Sequence, residues 1–203
     1  MKFNLRARLT AEFVGSAFLV AAVVGSGIMG ERLAGGNVAI ALLANTIATG
    51  AALVALILTF GPISGAHLNP AVTVADAIEH GITWPHALAY IVVQRAGGVG
   101  GAIIAHLMFG LRWYSFSTHP RHGWSLVLSE FVATFGLLLL IWGCSTASRS
   151  RAVAVAGYIT SDYWFGTRGR RSNSGKLEPT EVQVLRGNEG ARAMSVNAVR
   201  KPV

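Results

Sequence analysis

The chain has 203 residues, of which 52% are hydrophobic and only 13% charged, about half the charged share of an ordinary soluble domain. That balance points to lipid. The formal net charge of +8 does not point to nucleic acid, because the Lys and Arg residues flank apolar runs or crowd the C-terminal stretch and do not share one folded face.

Taken in chain order, Met1 to Arg8 is basic and leads into an apolar run, a pattern shared by signal peptides. Further apolar runs follow, so the first is read as a retained helix. Five runs are candidate spans: residues 10–30, 38–60, 85–109, 124–143 and a shorter one at 151–165. About 20 residues at a rise of about 1.5 Å cover the hydrocarbon core, so the first four qualify. The fifth is short and already contains Asp162. Lys2, Arg6 and Arg8 predict a cytoplasmic N-terminus, and Arg149 with Arg151 predict the same side for the link between spans four and five. These two assignments agree, and the membrane expected is the plasma (inner) membrane.

An internal repeat is visible. Ala11-Glu12-Phe13-Val14-Gly15-Ser16 resembles Ser129-Glu130-Phe131-Val132-Ala133-Thr134 at an offset of 118 residues, each followed by an apolar run. An odd number of spans per repeat gives inverted halves. The same offset carries Asn69 to Gly187, in a stretch that is neither apolar nor similar, so the second copy is lost after about residue 165. Residues 166–203 hold eight Lys/Arg and three Asp/Glu without apolar period, and read as a basic disordered tail. The abrupt change predicts a shifted reading frame or a splice, which resequencing of the coding region tests.

Between spans two and three lies Gly61-Pro62-Ile63-Ser64-Gly65-Ala66-His67-Leu68-Asn69-Pro70-Ala71-Val72-Thr73. Asn69 is a good N-cap, and Pro70 suits the first helical position, where its missing N–H is no loss. Residues 70–79 then make a half-helix of roughly 15 Å, half a bilayer. Its start carries about half a positive charge, which at mid-membrane repels cations and protons. Gly65 and Ala66 let the preceding loop fold back, and the carbonyls from Gly65 through His67 to Leu68 become acceptors for passing water or hydroxyls. His67 has no partner at metal-ligand spacing and reads as a loop-bracing or pore-lining residue; no metal or other cofactor is expected. Glu12 and Glu130 are carboxylates within apolar runs, which marks both as functional candidates.

The run SGAHLNPAVT resembles the first signature of the major intrinsic protein family, the aquaporins and aquaglyceroporins, and with AEFVGS, SEFVAT and Gln94 the resemblance covers about residues 10–165. It implies an all-α membrane protein, an aquaporin-like inverted-repeat bundle with one re-entrant half-helix and an incomplete second repeat. It further implies that Asn69, in the motif Asn69-Pro70-Ala71, donates its amide to the solute. Glu12 and Glu130 each brace a re-entrant loop, although the loop that Glu130 would brace has no counterpart here, which leaves its buried carboxylate in need of other partners. Thr49 and Ser161 fall at selectivity positions, and a small Thr49 implies a wider pore for glycerol-like or uncharged metalloid solutes. The arginine that the family places after a second signature has no counterpart. A homotetramer is implied as well.

Gly97-Gly98-Val99-Gly100-Gly101 suits close helix approach, Trp84, Trp113, Tyr114 and Trp124 suit membrane interfaces, and His119 and His122 read as a solvated loop. The resulting expectation is a passive channel for water or small neutral solutes in a lipid bilayer. The alternatives are a truncated, non-conducting fragment, since a pore needs both half-helices, and a membrane enzyme using Glu12, Glu130 and His67.

Overall fold

The computed structural model describes residues 3–112, 124–144 and 148–165. They form six helices: α1 (Leu5–Leu33), α2 (Val38–Ser64), α3 (Pro70–Ile78), α4 (Trp84–Met108), α5 (Trp124–Gly143) and α6 (Ser148–Phe165), with no strand among the described residues. The reading of residues 166–203 as a disordered tail, and those of Trp113, Tyr114, His119 and His122, lie outside the described residues.

Three helices, α1, α2 and α4, are long and apolar enough to cross a membrane, and α5 carries a shorter apolar stretch, Val127–Gly143. Local chemistry sets their ends. Asn4 caps α1 by accepting from Ala7 N at 2.9 Å, and Asn37 caps α2 by accepting from Ala39 N and Ile40 N. Gly65 closes α2 in the left-handed region at φ 93°, its N–H returning to the Gly61 carbonyl, a conformation that costs glycine little. α3 begins at Pro70, with the Asn69 side chain accepting from Ala71 N at 2.8 Å. At nine residues it is about 13 Å long, too short to cross a bilayer.

α1 packs on α2 and α4, α2 on α6, α3 on α4 and α5, and α5 on α6. The α1–α4 seam is the closest. A Cβ on Gly97 would collide with the Phe13 carbonyl oxygen, and one on Gly101 with that of Ala17, so the glycine-rich run is what lets these two backbones touch.

Burial is inverted relative to a water-soluble protein. Phe18, Leu88, Val92, Val99 and Phe131 are exposed, while Arg8, Glu12, Thr46, Ser64, Thr73 and Gln94 are buried. Apolar outer walls around an interior that holds the polar groups are what hydrocarbon demands of a helix bundle. One apolar cluster joins Leu53 and Ile57 of α2 to Leu68, to Leu137 of α5 and to Ala152 and Val155 of α6. A second joins Ala77, Ile82, Ala87 and Tyr90 beneath Leu5 and Leu9.

Candidate functional site

Glu12 sits on α1 with no exposed surface, and its two carboxylate oxygens collect four donors. Oε1 accepts from Ser64 Oγ at 2.6 Å and His67 N at 3.0 Å, and Oε2 accepts from Leu68 N at 2.8 Å and Gln94 Nε2 at 2.8 Å. A carboxylate with its lone pairs filled in this way is the arrangement a dry interior tolerates. It draws the ends of α2 and α4 and the intervening loop onto α1.

The loop follows from those bonds. Ala66 N donates to Ser64 Oγ at 3.1 Å, so three successive N–H groups, of Ala66, His67 and Leu68, are held by Ser64 and Glu12. A trans peptide sets each C=O opposite the next residue's N–H, and none of these peptides is cis. The carbonyls of Gly65, Ala66 and His67 are therefore turned away from Glu12. Holding this course puts Ala66 at φ 48° and Leu68 at φ 47°, in a region that costs a non-glycine residue on the order of 1–3 kcal/mol. The pinned N–H groups oppose that cost.

A second layer fixes the loop's other end. Thr73 Oγ1 donates to the Asn69 carbonyl at 3.1 Å and accepts from Gln94 Nε2 at 3.0 Å. With the hydroxyl proton so used, His67 Nδ1 is the donor in its 3.1 Å contact with Thr73 Oγ1. His67 Nε2 lies 3.6 Å from Asp76 Oδ2, and the His67 and Tyr90 rings meet edge-on at 5.4 Å. Tyr90, fully buried, donates to the Ser64 carbonyl at 3.1 Å and accepts from Arg8 Nε at 2.6 Å.

Beside this loop lies a cavity of about 350 Å³. One wall is the stretch from Gly61 to Asn69; Leu53, Ile57, Leu137 and Val155 form an apolar wall, and Asp76, Glu79 and Arg151 stand among the polar lining residues. A lining that combines polar groups with an apolar wall suits the binding of a small molecule.

Each sequence-predicted residue can be placed. Asn69, Gly65, Ala66, His67 and Leu68 line this cavity, while Pro70 and Ala71 open α3 and line a different groove. Thr49 and Ser161 are not on the cavity wall. Thr49 is 1% exposed, donates to Asn45 Oδ1 at 3.2 Å and meets Tyr163 OH at 3.1 Å. Ser161 is exposed and donates to the Gly157 carbonyl; the residue that α6 brings to Thr49 is Tyr163. Glu130 is exposed on α5 and is not the buried carboxylate that its apolar run suggested. Glu130 lies two turns before the buried Leu137, on nearly the same side of α5, yet it is exposed. None of Glu12's four bonds reaches Glu130, so the two form no acid/base pair. Among the described residues no three His, Cys, Asp or Glu side chains gather as metal ligands.

Sequence reasoning missed several members of the site. Arg8 served there only as an orientation signal, yet it is buried on Tyr90 with its guanidinium 5.1 Å from the ring centre. Arg151, a cavity-lining residue, also served only as an orientation signal, and Thr73, Asn45 and Tyr163 gave no local signal. Arg95 gave one, a charge in the middle of an apolar run.

Comparison with known proteins agrees with this geometry. The aquaglyceroporin AqpS of Rhizobium meliloti is 46% identical over 165 residues, covering 81% of this chain and 70% of that protein. Aquaporin NIP1-4 of Oryza sativa subsp. japonica is 35% identical over 172 residues, 81% of this chain and 61% of that protein. The glycerol uptake facilitator protein of Bacillus subtilis is 41% identical over 91 residues, 39% of this chain and 33% of that protein. The chain thus spans less than two thirds of the length of the second and third of these relatives. Residues 1–160 match the major intrinsic protein family as a whole. The chain belongs to the major intrinsic protein family, whose members are integral membrane channels and not enzymes.

Proposed function

We propose that the chain forms a passive conduit for water or small neutral solutes, lined on one side by the Gly65, Ala66 and His67 carbonyls and the Asn69 amide. The single observation that carries this reading is the Glu12 carboxylate, which takes up the N–H groups of a loop that lines the cavity and leaves the loop carbonyls turned away from that carboxylate. In this reading Glu12 braces the loop, and α3 directs its positive end at the solute file. Thr49 is the selectivity position on α2, held by Tyr163, and Ser161 remains the candidate from α6. The small Thr49, together with relatives named as an aquaglyceroporin and a glycerol uptake facilitator, favours glycerol-like or uncharged metalloid solutes. Glu130 would brace a loop contributed from the second repeat. The N-terminus lies in the cytoplasm of a cell bounded by the plasma (inner) membrane, and the subunit assembles as a homotetramer.

Stopped-flow light scattering of liposomes holding the purified chain tests the proposal. Swelling in a glycerol gradient faster than that of empty liposomes is expected. Rates equal to empty liposomes, with the protein shown to be inserted, would overturn it in favour of a non-conducting fragment.

A further inference from the structure

The cavity beside the Gly65–Asn69 loop carries charge of both signs. Asp76 and Glu79 line it from the last turn and the C-cap of α3, and Arg151 lines it from the first turn of α6. α3 packs on α4 and α5, and α6 on α2 and α5, but α3 and α6 do not pack on each other. The two carboxylates and the guanidinium therefore stand on separate walls. Among the described residues Asp76 has one ion-pair contact, to His67 at 3.6 Å, while Glu79 and Arg151 have none. Arg151 is half-buried, and its Nε, closed off from solvent, has no hydrogen-bond partner there.

Each charge is also at the unfavourable end of its helix. A helix is negative at its C-terminus and positive at its N-terminus. α3 has no basic residue in its last turn and α6 no acidic residue in its first, so neither helix compensates its own end. Two carboxylates at a negative end favour a cation in front of them, and a guanidinium at a positive end, with a buried N–H unmet, favours an anion. A lone cation would meet Arg151 and a lone anion would meet Asp76 and Glu79, each a like-charge juxtaposition. One molecule with both signs satisfies both walls.

We infer that this cavity binds a small zwitterion of the amino acid type with a short apolar side chain, its ammonium group held by Asp76 and Glu79 and its carboxylate by Arg151. The long side chains of Glu79 and Arg151 let the two walls close on charges that lie near each other in the ligand. Leu53, Ile57, Leu137 and Val155 supply the apolar wall against which the ligand side chain packs. The cavity, about 350 Å³, is within the range of small-molecule sites. This site goes beyond the conduit proposed above: it requires the cavity and the three charges, and it does not require conduction.

The test uses the full chain in phosphatidylcholine nanodiscs, dialysed to equilibrium against radiolabelled L-valine, with empty nanodiscs as the blank. Saturable binding is expected. Isobutylamine and isovalerate keep the side chain of valine and lose its carboxylate or its ammonium group, and each is expected to compete at least about tenfold more weakly than unlabelled valine. R151E and E79R are each expected to weaken binding by at least about tenfold, and the double variant R151E/E79R, which again sets one charge of each sign on opposite walls, recovers most of the loss. That recovery is one a merely structural role would not give. Should a reversed chain lose the wild-type thermal unfolding profile, R151Q and E79Q take its place, with the same weakening expected. Binding no greater than to empty nanodiscs would overturn the inference, as would affinity unchanged by R151Q and E79Q. Competition by isovalerate equal to that of valine would make this an anion site, and by isobutylamine a cation site; either overturns the zwitterion. Because binding is read at equilibrium, its outcome is independent of the swelling assay.

Discussion

Glu12 and Gln94 are 82 residues apart in sequence and 2.8 Å apart in space, carboxylate to amide, with no water-exposed surface on the former. The same Gln94 nitrogen reaches Thr73 on α3 at 3.0 Å. Helices α1, α3 and α4 thus share one polar node.

Removing the carboxylate is expected to be the most damaging single change near the cavity. Glu12→Ala leaves two loop N–H groups without an acceptor and takes one acceptor each from the Ser64 hydroxyl and the Gln94 amide, a loss on the order of 3–5 kcal/mol. Glu12→Gln keeps one acceptor oxygen but turns an NH₂ toward existing donors, giving an intermediate loss. Glu130→Ala, at an exposed position, is expected to cost less than about 1 kcal/mol. Thermal unfolding in detergent, followed by tryptophan fluorescence, ranks the three.

Asn69 has two separable tasks. Asn69→Ala loses the cap of α3, about 1 kcal/mol, and also the solute-facing amide. Asn69→Asp keeps the cap acceptor and places an anion at the half-helix start. Liposome assays are expected to show a loss of glycerol flux in both, with cation leak rising only in Asn69→Asp. Equal glycerol flux in wild type and Asn69→Ala would remove the amide from the conduit.

The α1–α4 seam has no room for side chains at two positions. Gly97→Val and Gly101→Val set a branched side chain against the Phe13 and Ala17 carbonyls, an overpacking penalty of about 1–3 kcal/mol or more. Because separation of α1 from α4 also stretches the Glu12–Gln94 bond, the double change Gly97→Val with Glu12→Ala is expected to cost less than the two single costs together. Unfolding midpoints of the four proteins test that coupling.

The Thr49 hydroxyl is occupied by Asn45 and Tyr163, so what Thr49 leaves free is its methyl group. Thr49→Val is expected to lower stability by about 1 kcal/mol while leaving the ratio of glycerol to water permeability near the wild-type value. Thr49→Ser, which keeps the hydroxyl and loses the methyl, is expected to move that ratio. The opposite pattern would show that solutes use the hydroxyl.

Much of the architecture was legible because it rests on local rules. The apolar runs, Asn69 before Pro70 and the glycines of α4 are each explained by residues within one or two turns. The site was legible where one motif held it together, as with the loop from Gly65 to Asn69. It was illegible where distant segments meet: nothing near Tyr163 announces Thr49, and nothing near Arg8 announces Tyr90. Glu130 misled for a related reason. Its repeat matches that of Glu12 in sequence, but burial depends on what packs opposite, and Glu130 is exposed although it shares a side of α5 with the buried Leu137. Ser161 and Tyr163 are two residues apart, about 200° of rotation on a helix, and it is Tyr163 that meets Thr49.

The reach of the Glu12 node has a consequence for biosynthesis. Its four donors lie 52, 55, 56 and 82 residues downstream, so α1 enters the bilayer long before they exist. The nascent segment must carry an unsolvated acceptor in a translocation site until the stretch through Gln94 has been synthesised and folded back. A nascent chain halted before that point holds the Glu12 carboxylate without its full set of donors.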